Sequence, residues 1–342
     1  MKRFLITGGT GFVGSHMIDF ILKEVPDCKI YASRRWRSRD ENIKHLYGDE
    51  RVKFIEADLL DRGSLQLLIN EARPDTVWHF AAQSFPQTSF YTPVATLNTN
   101  VIGTTNFLDE LKEARDLGIC DPIIISVSSS EVYGMPLESE LPIKETNPIR
   151  AANPYSISKV AHDLMSQYYC NAYGLKIITT RMFSHEGKRR GKKFALSSFA
   201  YQIVRHDKEY EESQKWLNPS DDIPEYIIKV GNLDSIRTYS HISDAVYAYW
   251  LCATKGKISE VYNIGGNYTC TVGQALDMLL QKSYIPYDKF KIVVDQSLIR
   301  PTDITLQIPC TDKFKEHTGW EPKKGINEII DDLLTYWREQ LV

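Results

Sequence analysis

No two cysteines of this 342-residue chain stand in a CxxC spacing, and no short Cys/His spacing is present. The six cysteines, at positions 28, 120, 170, 252, 270 and 310, are scattered. That argues against a metal cluster or a disulfide framework and for reduced thiols in a core. Missing too is any apolar run near the roughly 20 residues of a membrane span. Neither sign of charge dominates: 41 Lys and Arg against 44 Asp and Glu leave a net charge of −3. No global basic field therefore speaks for nucleic acid. There is no internal repeat, low-complexity tract or independent linker. The chain enters an apolar strand directly, with no signal peptide expected, so the cytoplasm is the default location. What remains is ordinary globular composition, 42% hydrophobic and 25% charged, with length enough for one large domain or two interleaved ones.

The N-terminal stretch is the first that carries chemistry. A buried strand at 3–7 runs into Gly8-Gly9-Thr10-Gly11-Phe12-Val13-Gly14, and a helical pattern follows from Ser15 to about Lys23. Glycines at 8, 11 and 14 between strand and helix let backbone amides, those of Phe12 and Val13 among them, approach a pyrophosphate at a helix N-terminus. A tight turn with no ligand is the plainer reading. The next strand, Lys29 to Ser33, should end beside the adenosine ribose. A carboxylate there would bind the 2′-hydroxyl of NAD, but the chain supplies Arg34 and Arg35. Arginine forks suit a 2′-phosphate, which favours NADP. The third strand is expected over 54–59, with Asp58 and Leu59 at the adenine. The fourth, Thr76 to Phe80, leads into Ala81-Ala82-Gln83-Ser84, where small side chains allow close backbone approach to a cofactor.

A helix is expected from Asn98 to Ala114, then a fifth strand at Ile123 to Ser126. The strand delivers Ser128-Ser129-Ser130-Glu131-Val132-Tyr133-Gly134. After Asn153-Pro154 a further helix carries Tyr155 and Lys159, spaced i and i+4 and hence on one side. A neighbouring ammonium favours the phenolate and makes a tyrosine a usable general base. With Glu131 as a second basic group, two proton abstractions are suggested rather than one. Strand–helix alternation of this kind implies a parallel doubly wound sheet, with ligands beyond the strand C-termini. Tyr133 and Trp78 read as packing residues.

A sixth strand, Leu175 to Arg181, ends at a polar, basic turn from Met182 to Phe194 that suits a phosphorylated ligand. Residues 206–225 read as a polar loop insertion. Strands at Tyr226–Val230 and Val261–Ile264, a helix from about Ser243 and an amphipathic helix from Ile326 complete the pattern. The expected domains are 1–180 with 230–263 for the dinucleotide, and 181–229 with 264–342 for a second lobe.

Gly8-x-x-Gly11-x-x-Gly14 together with Tyr155-x-x-x-Lys159 resembles the extended short-chain dehydrogenase/reductase family, over nearly the whole chain. Within it the sequence is similar to the GDP-mannose 4,6-dehydratase group and its relative, GDP-4-keto-6-deoxymannose reductase. The arginine-rich loop at 34–35, Ala82-Gln83-Ser84, His185-Glu186 with Arg189-Arg190-Gly191, Gly231-Asn232-Leu233-Asp234 with Arg237, and Arg300-Pro301-Thr302 carry this likeness. The fold implied is α/β: a Rossmann-type doubly wound parallel sheet with a smaller, interleaved C-terminal substrate lobe. The resemblance makes Tyr155 the base for a sugar 4-hydroxyl, assisted by Lys159. It places Ser129 where that hydroxyl is held and Glu131 where a carboxylate removes the C5 proton. His185 and Arg190 fall among the cofactor contacts. Ser84, Ser184, Glu186, Lys193, Arg237 and Arg300 fall among the substrate contacts, the two arginines at the nucleotide pyrophosphate. The chain departs from the group at Ser184, at Gly187-Lys188 and at Thr238, residues that the resemblance places with the sugar and its nucleotide.

The function implied is a nucleotide-sugar 4,6-dehydratase, acting on a GDP-mannose-type hexose or heptose with NADP, by internal hydride transfer and loss of water. An NADPH-dependent reductase of a GDP-4-keto-6-deoxy sugar would need Tyr155, Lys159 and Ser129 but no C5 base. A silent NADP-binding protein would need none of them. The arginine loop also implies a homo-oligomer, a dimer or tetramer.

Overall fold

In the computed structural model, residues 1–215 and 223–341 are described. In chain order the strands are β1 Lys2–Thr7, β2 Cys28–Arg34, β3 Val52–Glu56, β4 Thr76–His79, β5 Ile123–Val127, β6 Lys176–Met182, β7 His185–Glu186, β8 Tyr226–Val230, β9 Ile236–His241, β10 Val261–Ile264, β11 Tyr268–Thr271, β12 Phe290–Val294 and β13 Leu306–Gln307. The helices are α1 Phe12–Glu24, α2 Arg62–Ala72, α3 Pro86–Tyr91, α4 Pro93–Leu97, α5 Gly103–Asp116, α6 Pro154–Tyr173, α7 Ala195–Ser213, α8 Ile242–Lys255, α9 Val272–Leu280, α10 Asp312–Thr318 and α11 Ile326–Gln340. Among the described residues no helix is long and apolar enough to cross a membrane.

The chain divides into two units. The larger comprises Met1–Phe183, Ile242–Gly265 and Pro309–Glu321. Its sheet has the order β10-β6-β5-β4-β1-β2-β3, with every neighbouring pair parallel. Strands buried on both faces need apolar residues at successive positions, and β1 supplies them. Ile6 packs on one side with Met17, Ile18, Trp78 and Tyr249. Leu5 packs on the other with Leu65, Val77, Phe107 and Leu111. After β3 the chain returns to place β4 on the far side of β1. The direction of winding reverses there, which opens a crevice at the C-terminal ends of β1 and β4. The expected doubly wound α/β sheet is present.

The smaller unit comprises Ser184–His241, Gly266–Ile308 and Pro322–Val342. Its own core joins Leu196, Phe199 and Ile203 of α7 to Tyr239, Leu276, Leu279, Ile329 and Leu333. β9 is its organising strand, paired with β7, β11 and β13.

Several boundaries differ from the sequence expectation. Segment 230–241 was assigned to the dinucleotide domain, but the pairing of β9 and the burial of Tyr239 put it in the smaller unit. Pro309–Glu321, expected in the second lobe, belongs to the larger unit. There Phe314 and Trp320 enter the core, and Trp320 Nε1 donates to the Asp244 carbonyl at 3.2 Å. The supposed loop at 206–225 is helical as far as Ser213, because Leu196, Phe199, Ala200, Ile203 and Val204 form one apolar face that carries α7 onward. Residues 216–222 lie outside the described residues. β3 stops at Glu56, so Asp58 and Leu59 stand beyond it. The helix expected from Asn98 starts as a π-helical turn, Asn98–Ile102, before α5.

Candidate active site

The turn after β1 is built so that nothing but glycine fits. Gly8 has φ +70°, and a Cβ there would meet the Ala81 nitrogen at 3.0 Å. At Gly14 a Cβ would stand 2.3 Å from the Gly8 carbonyl oxygen and 3.0 Å from the Gly9 Cα. Those neighbours are backbone and cannot swing aside. Gly8 N–H donates to the Ser33 hydroxyl at 3.0 Å, and Gly9 N–H to the Ser33 carbonyl at 3.1 Å. The turn is thereby tied to the end of β2. Gly11 is the N-cap of α1, which carries no side-chain cap and no acidic residue in its first turn. Phe12 and Val13 open that helix, half-buried. A helix N-terminus left this way is suited to an anion, and the cradle fits the pyrophosphate of a dinucleotide.

At the end of β2, Arg34, Arg35, Arg37 and Arg39 are exposed, and none pairs with a carboxylate among the described residues. Arg35 N–H donates to the Ser38 hydroxyl at 3.0 Å, and Arg37 lies over the Trp36 ring. Asp58 is exposed and accepts the Leu60 N–H at 2.9 Å, while Leu59 is buried. Ala81 N–H donates to the Thr7 hydroxyl at 3.1 Å. Gln83 is gripped by Asn100: its N–H donates to Asn100 Oδ1 at 2.7 Å, and its carbonyl accepts from Asn100 Nδ2 at 3.0 Å. Ser84 is exposed.

Asn100 sits in the π turn and is fully buried. Its Nδ2 also donates to the Ser158 hydroxyl of α6 at 2.9 Å. It therefore fixes the loop after β4 to the helix that carries Tyr155 and Lys159. Nothing in the local sequence marks this role beyond a polar residue in a helical stretch just after the Ala81–Ser84 segment.

The Tyr155 helix is positioned from both ends of its first turns. Asn153 caps α6, its Oδ1 accepting the Ser156 N–H at 2.8 Å. Tyr155 and Lys159 are both nearly buried. Lys159 Nζ donates to the Val127 carbonyl at 2.7 Å, at the end of β5. Burial pushes the Lys159 ammonium down to about 8, and the Asp163 carboxylate offsets part of that. Ser129 caps the short 3-10 turn Ser130–Tyr133, its hydroxyl accepting the Glu131 N–H at 3.2 Å. Glu131 is half-buried, and its Oε2 accepts from Asn153 Nδ2 at 3.0 Å. One asparagine thus caps the tyrosine helix and holds the carboxylate. Its role also went unread in the sequence, because its two partners are three and 22 residues away.

Beneath these groups runs a buried chain of hydroxyls and imidazoles. Thr7 Oγ1 is 2.8 Å from His79 Nδ1, and His79 Nε2 is 3.1 Å from Thr104 Oγ1. Thr104 Oγ1 is 3.0 Å from His162 Nδ1, and His162 Nε2 is 2.8 Å from Ser126 Oγ. Burial, and next the nearby Lys159 charge, push His79 down to about 3 and His162 well below its usual range. Both rings are neutral at physiological pH and act as dipoles, not charges.

The remaining expected residues lie in the smaller unit. His185 and Glu186 form β7, in register with Ser240 and His241 of β9. Glu186 is buried, and that burial raises its carboxyl above the usual range, with Arg190 opposing the shift. Arg190 Nε is 3.6 Å from Glu186 Oε2, and its guanidinium stacks on Phe194. The Ser184 carbonyl accepts from the Ser240 N–H at 2.9 Å, and Lys193 is exposed. Asp303 gathers the two arginines: Oδ1 is 3.9 Å from Arg237 Nη2 and 3.7 Å from Arg300 Nη1. Asn232 and Ser235 donate to its other oxygen at 2.9 and 3.1 Å. The structure therefore groups Ser129, Glu131, Tyr155 and Lys159 in one unit and Glu186 with Arg190, and Arg237 with Arg300, in the other.

A family model described as GDP-mannose 4,6 dehydratase matches residues 5–333. Human dTDP-D-glucose 4,6-dehydratase is 28% identical, over 99% of this chain and 90% of its own. The GDP-6-deoxy-D-mannose reductase of Pseudomonas aeruginosa is 26% identical, over 99% and 98%. Among solved structures, RMD from Pseudomonas aeruginosa complexed with NADPH superposes with a TM-score of 0.78 at 25% identity, covering 99% of this chain and 100% of that one.

Proposed function

The chain belongs to the GDP-mannose 4,6 dehydratase family, and from that premise we propose that it is an NADP-dependent GDP-sugar 4,6-dehydratase. The single observation that carries this reading is Glu131. A half-buried carboxylate is bonded at 3.0 Å to the residue that caps the tyrosine helix. A reductase has no use for a second base in that place.

The glycine turn and the N-terminus of α1 hold the cofactor pyrophosphate, with Asp58 and Leu59 at the adenine and Arg34 and Arg35 at a 2′-phosphate. Ala81, Ala82 and Gln83 lie along the cofactor, and His185 and Arg190 complete its contacts. When bound, the nicotinamide supplies an acceptor for the hydride of C4 and a donor of hydride to C6. Tyr155 takes the proton of the 4-hydroxyl, which Ser129 holds, and the Lys159 ammonium favours the phenolate. The 4-keto group so formed acidifies the C5–H, and Glu131 removes that proton and passes it to the departing C6 hydroxyl, which leaves as water. After hydride returns to C6, C5 takes up one proton, matching the one that Tyr155 took from the 4-hydroxyl and gives back. The product is a 4-keto-6-deoxy sugar with no net redox change. Arg237 and Arg300 hold the nucleotide diphosphate, and Ser84, Ser184, Glu186 and Lys193 contact the remainder of the substrate. The active form is a homo-oligomer, which light scattering tests directly: a monomeric mass at working concentration refutes it.

The test is to incubate the protein with a panel of nucleotide sugars, GDP-mannose first, without added reductant. Mass spectrometry should show loss of one water from one of them. Glu131→Gln should abolish that loss; unimpaired dehydration in this variant would sink the mechanism. The likeness to the Pseudomonas reductase gives the second reading, in which NADPH is consumed one for one and no water is lost.

A further inference from the structure

Behind the turn that bears Ser129 and Glu131 lies a buried ion pair that the proposed chemistry does not use. Arg181, near the end of β6, and Asp163, on α6, are 5% and 0% exposed. Arg181 Nε donates to Asp163 Oδ2 at 2.8 Å. Its Nη1 donates to the Tyr133 hydroxyl at 2.9 Å and to the Glu145 carbonyl at 3.0 Å. The Tyr133 hydroxyl in turn donates to Asn263 Oδ1 of β10 at 2.7 Å. Asn263 donates onward, from Nδ2 to the Ile143 carbonyl at 2.9 Å and from its N–H to the Glu145 carboxylate at 2.8 Å. The Arg181 guanidinium also lies over the Tyr133 ring.

A buried ion pair gives little stability that apolar residues of the same volume would not give. What this one orders is more telling. Tyr133 is the last residue of the 3-10 turn that contains Glu131, so fixing its hydroxyl fixes the turn. Asp163 is one helical turn beyond Lys159 on α6. The pair therefore ties the element that carries the carboxylate base to the helix that carries the tyrosine base. We propose that Arg181 and Asp163, acting through Tyr133, are positioning residues that hold Glu131 and the Tyr155–Lys159 pair in one fixed arrangement. The inference rests on the dehydratase reading for its account of two bases.

A second consequence follows from the same placement. The charged and titratable groups facing Lys159 are Tyr155, His162 and Asp163 on its own helix and His79 on β4, and Arg181 faces Asp163 from β6. Asp163 is the carboxylate whose charge supports the Lys159 ammonium.

Two variants test this. Asp163→Asn should lower the titration midpoint of Lys159 by about one unit from its value near 8. The midpoint is read by NMR of protein labelled at lysine Cε, with Lys159→Met to assign the signal. No substrate is needed, so this arm holds whatever sugar the enzyme takes. Tyr133→Phe keeps the packing and the ring under Arg181, and it decides alone if Asp163→Asn does not fold. In deuterium oxide with GDP-mannose, it should slow exchange at C5 about tenfold or more, while hydride transfer from C4 changes less than about threefold. An unmoved Lys159 midpoint in folded Asp163→Asn would overturn the proposal. So would Tyr133→Phe with unimpaired C5 exchange, or with both steps reduced alike. If the wild-type protein removes water from no nucleotide sugar, the dehydratase reading fails, and the lysine titration still decides the coupling.

Discussion

Replacing Asn153 with serine separates its two duties. As N-cap of α6, Asn153 offers an acceptor to the Ser156 N–H at 2.8 Å; a serine hydroxyl offers the same, and caps of these two types differ little in strength. The change of cap alone should therefore lower stability by no more than about 0.5 kcal/mol. The donor is a different matter. Asn153 Nδ2 reaches Glu131 Oε2 at 3.0 Å, and serine is too short to follow. A hydrogen bond to a charged group is worth roughly 1.5–3 kcal/mol. If that bond aims the carboxylate at C5–H, its loss slows proton removal by about 10- to 100-fold. Urea denaturation followed by circular dichroism gives the first quantity, and deuterium uptake at C5 of GDP-mannose gives the second. Asn153→Ala, which loses both duties, should add a further ~1 kcal/mol of destabilisation. Normal C5 exchange in Asn153→Ser would refute the reasoning and reduce Asn153 to a helix cap.

Gly14→Ala places a methyl 2.3 Å from a backbone oxygen and should weaken dinucleotide binding at least about tenfold by isothermal calorimetry. Unchanged affinity would contradict the cradle. Arg34→Ala with Arg35→Ala should weaken NADP binding and leave NAD binding nearly unaltered, since the 2′-phosphate is the one group the two cofactors do not share. Equal losses for both would refute the assignment. Lys159 has its folded pKa lowered from 10.5 to about 8. Between those values the unfolded chain binds more protons, so this group makes stability rise with pH from about 8 to 10.5. A shift of that size corresponds to on the order of 3 kcal/mol across the window. Lys159→Met should lack this increment in denaturation curves taken across that range, and parallel curves for the two proteins would refute it.

Where the fold was legible, local chemistry and tertiary context agree. The glycine turn needs close backbone approach, and the glycines of the sequence say so directly. The i, i+4 pairing of Tyr155 and Lys159 needs no more than a helix. Apart from β3, which stops three residues short of its expected end, strand ends in the large sheet were legible to within a residue or two because parallel core strands are apolar throughout. Harder to read were residues whose meaning depends on distant partners. Asn100 is polar in a helical stretch, and its value appears only with Gln83 and Ser158 in reach. Tyr133 does pack as expected, against Phe183, yet its hydroxyl is also fixed by Arg181 and Asn263. The interleaving of the two units is hard to read at β9 for a similar reason: a strand's allegiance is decided by the strands it pairs with, and those lie both earlier (β7) and later (β11 and β13) in the chain.

The π-helical turn at Asn98–Ile102 has a consequence for how this chain tolerates changes of length. Such a turn contains one residue more than an α-helical turn. Removing a single residue would let the segment relax to a regular helix while everything after it kept its rotation, because the turn gives up only its extra residue. Thr104 would stay beside His79 and His162, and Phe107 and Leu111 would stay in the core that they fill. What would move is Asn100, which now reaches both Gln83 and Ser158. A single-residue deletion across 98–102 should therefore loosen the loop after β4 yet cost far less stability than a deletion within α5 itself.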